Sequence, residues 1–369
     1  MQVVVIGGGV IGMMQARALA AEGVSVTLIE RGLCGKEASW AGGGIVSPLY
    51  PWRYSDPVTT LANWSQTYYA NLSESLEAES GIDPELSRTG LLMLSIFDQQ
   101  EALKWGAEHS YQMQMIGADE IYHLEPKLKA GFKQAIWMPQ VANIRNPRLA
   151  RSLRAVLEHD SRVTICEEQA VLEIQTTKQG RVEGVLTDKG NVQSDAVVLA
   201  SGAWSGKLLE SLSISLPIEP VKGQMVLFKG EPGVVRRIVL RDGKYIIPRR
   251  DGHVLAGSTL EYCGFDKSTT ASAREELADI AIDMLPELSS FQLEAQWAGL
   301  RPGIEDGIPL IGEVESHPGL FLNCGHFRNG LVLAPASVQL LTSLIMQSEH
   351  PFSPEPFSPS RSNNGLILM

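Results

Sequence analysis

Three glycines near the N-terminus restrict the fold more than any other feature of the chain. Val3-Val4-Val5-Ile6 is a short β-branched run that predicts a buried strand. Gly7, Gly9 and Gly12 follow it directly, in the spacing Gly-x-Gly-x-x-Gly. A helical pattern runs from Val10 to Glu22, Gly23 is placed to end it, and Val24 to Ile29 predicts a second strand. Such a βαβ unit has parallel, buried strands. Gly7 permits the tight turn, Gly9 lets the backbone approach a pyrophosphate, and Gly12 lets helix and strand pack closely. The helix N-terminus presents free N–H groups and a positive dipole end to phosphates. Glu30 closes the second strand, where a carboxylate accepts hydrogen bonds from a ribose. The unit predicts dinucleotide binding without separating FAD from NAD, and Arg31 beside Glu30 does not decide between them.

The rest of the chain reads as α/β. Ser39 to Pro57 is rich in Gly, Pro and aromatics and reads as loop. Helices are expected over 63–79, 98–117, 146–159, 273–285 and 331–346, the third opened by Pro147. Strands are expected over 90–95, 163–165, 196–200, 220–228 and 320–323, with a meander over 171–187 and a hairpin over 245–257 turning at Arg250-Asp251-Gly252-His253. The Pro/Ser-rich segment 351–369 reads as an extended tail.

With 369 residues there is room for two domains. A net charge of -11 argues against a protein built to grip nucleic acid. Cys34, Cys166, Cys263 and Cys324 are widely spaced, so free thiols in a reducing cytoplasm are expected and no metal site. No signal peptide and no run of about 18 uncharged apolar residues stands out, so no transmembrane segment is expected. A homo-oligomer is compatible with the sequence.

Four further stretches carry chemistry. Ser39, Gly43 and Gly44, beside Ile45, form a small-residue loop that can lie against a flat ring and donate backbone N–H groups, or can be a surface turn. Gly325-His326-Phe327-Arg328-Asn329-Gly330 precedes a long apolar helix. It is either a plain helix start or a helix N-terminus that stabilises negative charge on a ring. Arg301, in Trp297-Ala298-Gly299-Leu300-Arg301-Pro302, must find an anion, because an unpaired buried charge is costly. The partner is either Glu305 or Asp306 in a structural pair, or a substrate carboxylate clamped by the planar guanidinium. Tyr245, on Tyr245-Ile246-Ile247-Pro248, is either a second carboxylate donor or a core aromatic.

Five stretches together resemble the D-amino-acid-oxidase-like FAD-dependent oxidoreductases, and most nearly their glycine-oxidising branch. They are VVVIGGGVIG with GKEASWAGGGIVSP, DAVVLASGAWS, PVKGQM, WAGLRPGIEDGIPLIG and GHFRNGLVLAP. The resemblance covers nearly the whole chain. It implies a Rossmann-type FAD domain over 1–80, 140–215 and 300–350 and a mostly antiparallel-sheet substrate domain over 81–139 and 216–299. It implies that Val10, Ile11 and Arg31 join Gly7, Gly9, Gly12 and Glu30 on the FAD. Ala38, Ser39, Gly43, Gly44 and Ile45 would touch the flavin, and Val171 the adenine. From the C-terminal motif, His326, Phe327, Arg328, Asn329, Gly330, Leu331 and Val332 would complete the cofactor site.

Arg301 and Tyr245 would hold the substrate carboxylate, with Arg328 adding positive field. The implied reaction is hydride transfer from the α-carbon of glycine to flavin N5. It gives an imine, then glyoxylate and ammonia, with dioxygen becoming hydrogen peroxide. A link to the thiazole branch of thiamine synthesis follows from the same resemblance. Ala298 stands in the stretch near which the monomeric sarcosine oxidases carry a flavin-bonding cysteine, so the FAD is expected to be non-covalent. Tyr50-Pro51-Trp52-Arg53-Tyr54 departs from the family pattern as a lid or wall of the pocket, and Leu260 stands where the family carries methionine. A D-amino-acid dehydrogenase or a sarcosine or D-proline oxidase of the same fold is the competing reading.

Overall fold

The computed structural model describes residues 1–361 and 367–368. Val3, Val4 and Val5 are wholly buried, as strands covered on both faces must be. They belong to a six-stranded sheet in the order Leu310–Glu313, Leu320–Cys324, Ala196–Leu199, Gln2–Ile6, Ser25–Ile29, Val163–Cys166. All neighbours are parallel except the first pair. The helix Val10–Ala21 packs against Asn146–His159 and Gly330–Met346, joining Met13, Leu19, Leu153 and Leu333 in one core.

Phe327–Met346 is long and apolar enough to cross a membrane, contrary to expectation. Of its apolar window 72% is buried inside the protein, against Val10–Ala21 and Asp56–Ser80.

An eight-stranded sheet runs Gln292–Gly303, Glu219–Lys229, His253–Gly257, Lys244–Pro248, Ile238–Arg241, Leu91–Leu94, Gln134–Met138, Gln114–Gly117. Side chains alternate across it. Val226, Phe228, Ile246 and Val254 pack with Leu277 and Ala281 of the helix Ala271–Met284. Met225, Tyr245, Ile247 and Leu255 share the other face. The expected meander is present as Val171–Thr176, Val182–Thr187 and Gly190–Gln193.

Several expectations need correction. The helix expected over 98–117 ends at Glu108, and Gln114–Gly117 is a strand. Ser110 at φ 57° turns the chain there, and the Tyr111 N–H returns to the Gly106 carbonyl. The loop over 39–57 contains the helix Ala38–Ala41 and the turn Pro51–Arg53, and the next helix starts at Asp56, with Pro57 in its first turn. The tail is not free. Phe357 is in the core, Arg361 pairs with Asp306 at 3.2 Å, and Ile367–Leu368 pairs with Ile214–Ser215. The rest of that segment, 362–366 and 369, lies outside the described residues.

Glu125 is 1% exposed. One carboxylate oxygen accepts the backbone N–H groups of Arg236 (2.6 Å) and Arg237, and the other has no partner. Burial pushes its pKa up to about 7. A carboxyl raised on folding stabilises below its unfolded pKa and loses that contribution as pH rises through the folded value. Glu125→Gln keeps the acceptor without the charge. Relative to wild type it should gain stability between pH 4.5 and 8, on the order of 2–3 kcal/mol. Urea unfolding at both pH values measures this, and an equal difference at the two would refute it.

Candidate active site

The βαβ turn is built from close approaches that only glycine allows. Gly7 has φ +108°, and a Cβ there would lie 2.6 Å from the Ala200 carbonyl oxygen. A Cβ on Gly12 would lie 1.8 Å from the Gly7 carbonyl oxygen. Gly12 therefore seats helix on strand and does not line the cavity above. Ser39 Oγ accepts the Val10 N–H at 2.8 Å, which ties the 38–45 loop to the start of the helix. Glu30 accepts the N–H groups of Gly8 (2.7 Å) and Gly32 (3.0 Å), one on each oxygen. Each oxygen keeps a lone pair for a further donor.

A cavity of about 420 Å³ opens over this turn and continues to the second sheet. Gly7, Gly9, Val10, Ile11, Glu30 and Arg31 line one end. Ala38, Ser39, Gly43, Gly44 and Ile45 form a side, and Val171 closes the end near Trp204. His326, Phe327, Arg328, Asn329, Gly330 and Leu331 border it from the C-terminal motif. Val332 is the exception. It is 1% exposed in the core and points its apolar side chain into packing, so it is not a cavity residue. Arg31 lies 3.7 Å over the Trp204 ring and pairs with Glu37 at 3.1 Å.

Tyr245, Ser258, Arg301 and Arg328 face the same cavity. Cross-strand register explains the meeting. Tyr245 pairs with Gly257, Gly257 with Met225 and Met225 with Trp297, so one rung crosses four strands. Arg301 lies four residues beyond Trp297 on the same face. The Arg301 guanidinium donates to the Ser258 hydroxyl (2.8 Å) and to the carbonyls of Thr259 (3.2 Å) and Lys222 (3.4 Å). A Cβ on Gly223 would lie 2.2 Å from it, so only glycine leaves it room.

Neither Glu305 nor Asp306 pairs with Arg301. Asp306 is held by Arg361, and among the described residues no carboxylate lies within 4 Å of the Arg301 guanidinium. Desolvation lowers its pKa. The Tyr245 hydroxyl is 3.6 Å from Met225 Sδ, a weak contact that leaves it free to donate elsewhere.

Sequence reasoning missed Asn146, Asn323, Ser258 and Trp204. Asn146 donates to the Ser39 carbonyl at 2.8 Å, so a residue read as a helix start also holds the loop. Asn146 Oδ1, Asn323 Oδ1 and His326 Nε2 are buried without a partner, and all three residues line the cavity. Burial lowers His326 to about 3, so it is neutral near pH 7. The N–H groups of Gly43, Gly44 and Ile45 also have no partner among the described residues. Unpaired polar atoms around a glycine-lined cavity fit a polar, flat cofactor with a pyrophosphate at the helix N-terminus.

The departing segment is fixed in place. Asp98 accepts two bonds from Arg53 (2.8 Å each) and one from Trp52 (2.6 Å), and the bonds from Arg53 hold its pKa down to about 2. None of residues 50–54 lines the cavity, contrary to the expected wall; Ser47 and Leu49, just before the segment, do. Leu260 is 48% exposed and is not a cavity residue. Among the described residues no group of His, Cys, Asp and Glu could hold a metal.

A nucleotide-binding turn joined through one cavity to an arginine-lined sheet defines a flavin-dependent oxidoreductase. Residues 2–344 match the FAD dependent oxidoreductase family, and the chain belongs to it. It is 52% identical to the glycine oxidase of Pseudomonas aeruginosa, over 97% of this chain and 98% of that one. The crystal structure of glycine oxidase from Geobacillus kaustophilus superposes with a TM-score of 0.91 at 30% identity, covering 96% of this chain and 97% of that one. The bifunctional protein ThiO/ThiG of Synechocystis is 29% identical over 96% of this chain, which spans 54% of that protein.

Gly44 has φ +81°, and a Cβ there would lie 2.0 Å from the Ile144 carbonyl oxygen. Gly44→Ala should displace the loop and weaken FAD binding by about tenfold or more, because strain of this kind costs about 1–3 kcal/mol. Fluorescence titration with FAD measures it, and unchanged affinity would count against the loop as a cofactor wall.

Proposed function

We propose that the chain oxidises glycine with FAD as its resident, non-covalent cofactor. Glycine, dioxygen and water become glyoxylate, ammonia and hydrogen peroxide. The observation that carries this reading is Arg301, an enclosed cation at the cavity with no carboxylate of its own. Its donors not used by Ser258, Thr259 and Lys222 suit a planar substrate carboxylate. Tyr245 supplies a second donor, and Arg328, close enough to repel Arg301, adds positive potential. Together they fix one end of the substrate and aim its α-carbon at the middle of the cavity.

Bound there, FAD supplies the hydride acceptor. The neutral His326 takes no proton near pH 7, so the residues orient and polarise more than they exchange protons. The apolar wall of Leu49, Ile45 and Leu300 limits water. We assign the cofactor domain to 1–80, 140–215 and 304–350 and the substrate domain to 81–139 and 216–303; the boundary moves from the expected 299 because the strand Gln292–Gly303 lies whole in the eight-stranded sheet. The four free cysteines suit a cytoplasmic setting. The half-length match to ThiO/ThiG supports a place in thiamine biosynthesis.

Purified protein should be yellow, and glycine should bleach it under anaerobic conditions. Sarcosine and D-alanine in parallel read its selectivity. Arg301→Ala removes a pair of charged hydrogen bonds, each contributing roughly 1.5–3 kcal/mol. Glycine kcat/KM should fall by about two orders of magnitude or more, with FAD content near normal. Tyr245→Phe deletes one neutral donor and should cost about tenfold. An Arg301→Ala enzyme that oxidises glycine normally would sink the clamp.

A further inference from the structure

Arg249 is a second enclosed cation, and nothing assigned so far uses it. It ends the strand Lys244–Pro248, four residues after Tyr245, and its side chain runs back beneath the 42–45 loop. One terminal nitrogen donates to the Gly43 carbonyl at 2.8 Å. The other donates to Asn143 Oδ1 (3.0 Å) and the Ile144 carbonyl (3.3 Å). Asn143 is anchored in turn by Thr89 at 2.9 Å. Among the described residues no carboxylate lies within 4 Å of Arg249. The nearby acids are engaged by other cations: Glu85 by Arg145 (3.1 Å) and Arg148 (3.2 Å), Asp251 by Arg145 (2.7 Å). Desolvation, with repulsion from Arg145, lowers Arg249 to about 10, still charged at neutral pH.

The loop above it has a one-sided hydrogen-bond pattern. The Gly43 carbonyl is taken by Arg249, and the Gly44 carbonyl accepts the Ile144 N–H at 2.8 Å. The N–H groups of Gly43, Gly44 and Ile45 are unpaired, and all three residues line the cavity. Two acceptors are tied back into the protein, while the three donors of these cavity-lining residues have no partner among the described residues.

We propose that Arg249 is a positioning residue that sets the polarity of this loop: it holds the Gly43 carbonyl out of the cavity and makes the wall electropositive toward a cofactor ring that gains negative charge on reduction. A fixed cation and aligned N–H dipoles in a low-dielectric wall stabilise such charge without reorganisation. The inference rests on the FAD assignment above. Wild-type protein that purified without flavin would fail that assignment first, before any Arg249 variant was made.

Sulfite tests the wall directly. Its lone pair adds to oxidised flavin and leaves negative charge on the ring, and the absorbance change reports only loaded molecules. Arg249→Gln keeps donors and loses the charge, whereas Arg249→Lys keeps the charge. In holoenzyme supplied with excess FAD, Arg249→Gln should weaken sulfite binding by at least about tenfold and lower the flavin midpoint potential. Arg249→Lys should stay within about threefold of wild type. Glycine kcat should fall in the Gln variant while KM changes little. A Gln variant with wild-type sulfite affinity and potential overturns the proposal. So does a Lys variant that loses as much as Gln, or a Gln variant that cannot fold even with FAD in excess, because each assigns Arg249 to the fold alone.

Discussion

A guanidinium that is largely withdrawn from water and has no carboxylate at contact distance is an unusual thing for a protein to build. Among the described residues Arg301 is such a group, and it faces the cavity. Its surroundings satisfy its hydrogen bonds in part, through one hydroxyl and two carbonyls, and leave its charge unbalanced. An isolated buried charge is costly. A ligand carboxylate would remove that cost, which is the basis of the proposed clamp. Of the two acids nearest in sequence that could have spoiled this, Asp306 is drawn off by Arg361 and Glu305 is exposed, with no bridge to Arg301 among the described residues.

The charge can stand there because the sheet face beneath it is bare. Gly223, Gly257 and Gly299 lie on the strands that carry Met225, Ser258 and Arg301, and a side chain on any of them would strike a neighbour. A Cβ on Gly299 would lie 2.5 Å from Ala41, so the short helix Ala38–Ala41 rests directly on the strand. The Trp297 indole donates to the Ala41 carbonyl at 3.0 Å from the same place. The cofactor loop can therefore come close to the substrate sheet, with Gly299 leaving room for the Ala41 side chain. This brings Gly43 within van der Waals reach of Tyr245, where a Cβ would lie 3.2 Å from its ring.

The first βαβ unit was legible because each of its residues does a local job. Gly7, Gly9, Gly12 and Glu30 act within thirty residues of one another, and alternation and turn chemistry carry the pattern. The strand Gln292–Gly303 was visible as a motif but not as a strand. Its residues Gln, Glu, Gly and Pro are poor strand formers, and its pairing with Glu219–Lys229 is a tertiary fact. The choice between ion pair and clamp for Arg301 was open for the same reason, since it depended on Arg361, 55 residues beyond Asp306. Val332 was placed at the cofactor by its motif, but a helix turns each successive residue by about 100°, and this one faces the core. Arg249 carried no sequence signal, because its partners are two carbonyls and an amide.

The interleaved chain order has a physical consequence for how the site forms. Leu91–Leu94 and Ile238–Arg241 are parallel neighbours in the middle of the eight-stranded sheet. A parallel pair needs a crossover, and here two of the six strands of the other sheet lie between the two strands in sequence, Val163–Cys166 and Ala196–Leu199, the second of which pairs with Gln2–Ile6. The sheet that carries Tyr245 and Arg301 therefore cannot close until the chain has passed through the sheet that carries Gly7 and Glu30. Long-range closures of this kind are slow to form. They also tie the two halves of the cavity together. Arg249 reaches the Gly43 carbonyl across 206 residues of sequence and Trp297 reaches the Ala41 carbonyl across 256, so displacement of the substrate sheet strains bonds to the cofactor loop. A cofactor wall and a substrate clamp built on two separate, simply ordered domains would be free to move apart. Interleaving removes that freedom, and the placement of Arg301 and the glycine loop on one cavity is kept by the path of the backbone as well as by contacts such as Arg249 to Gly43.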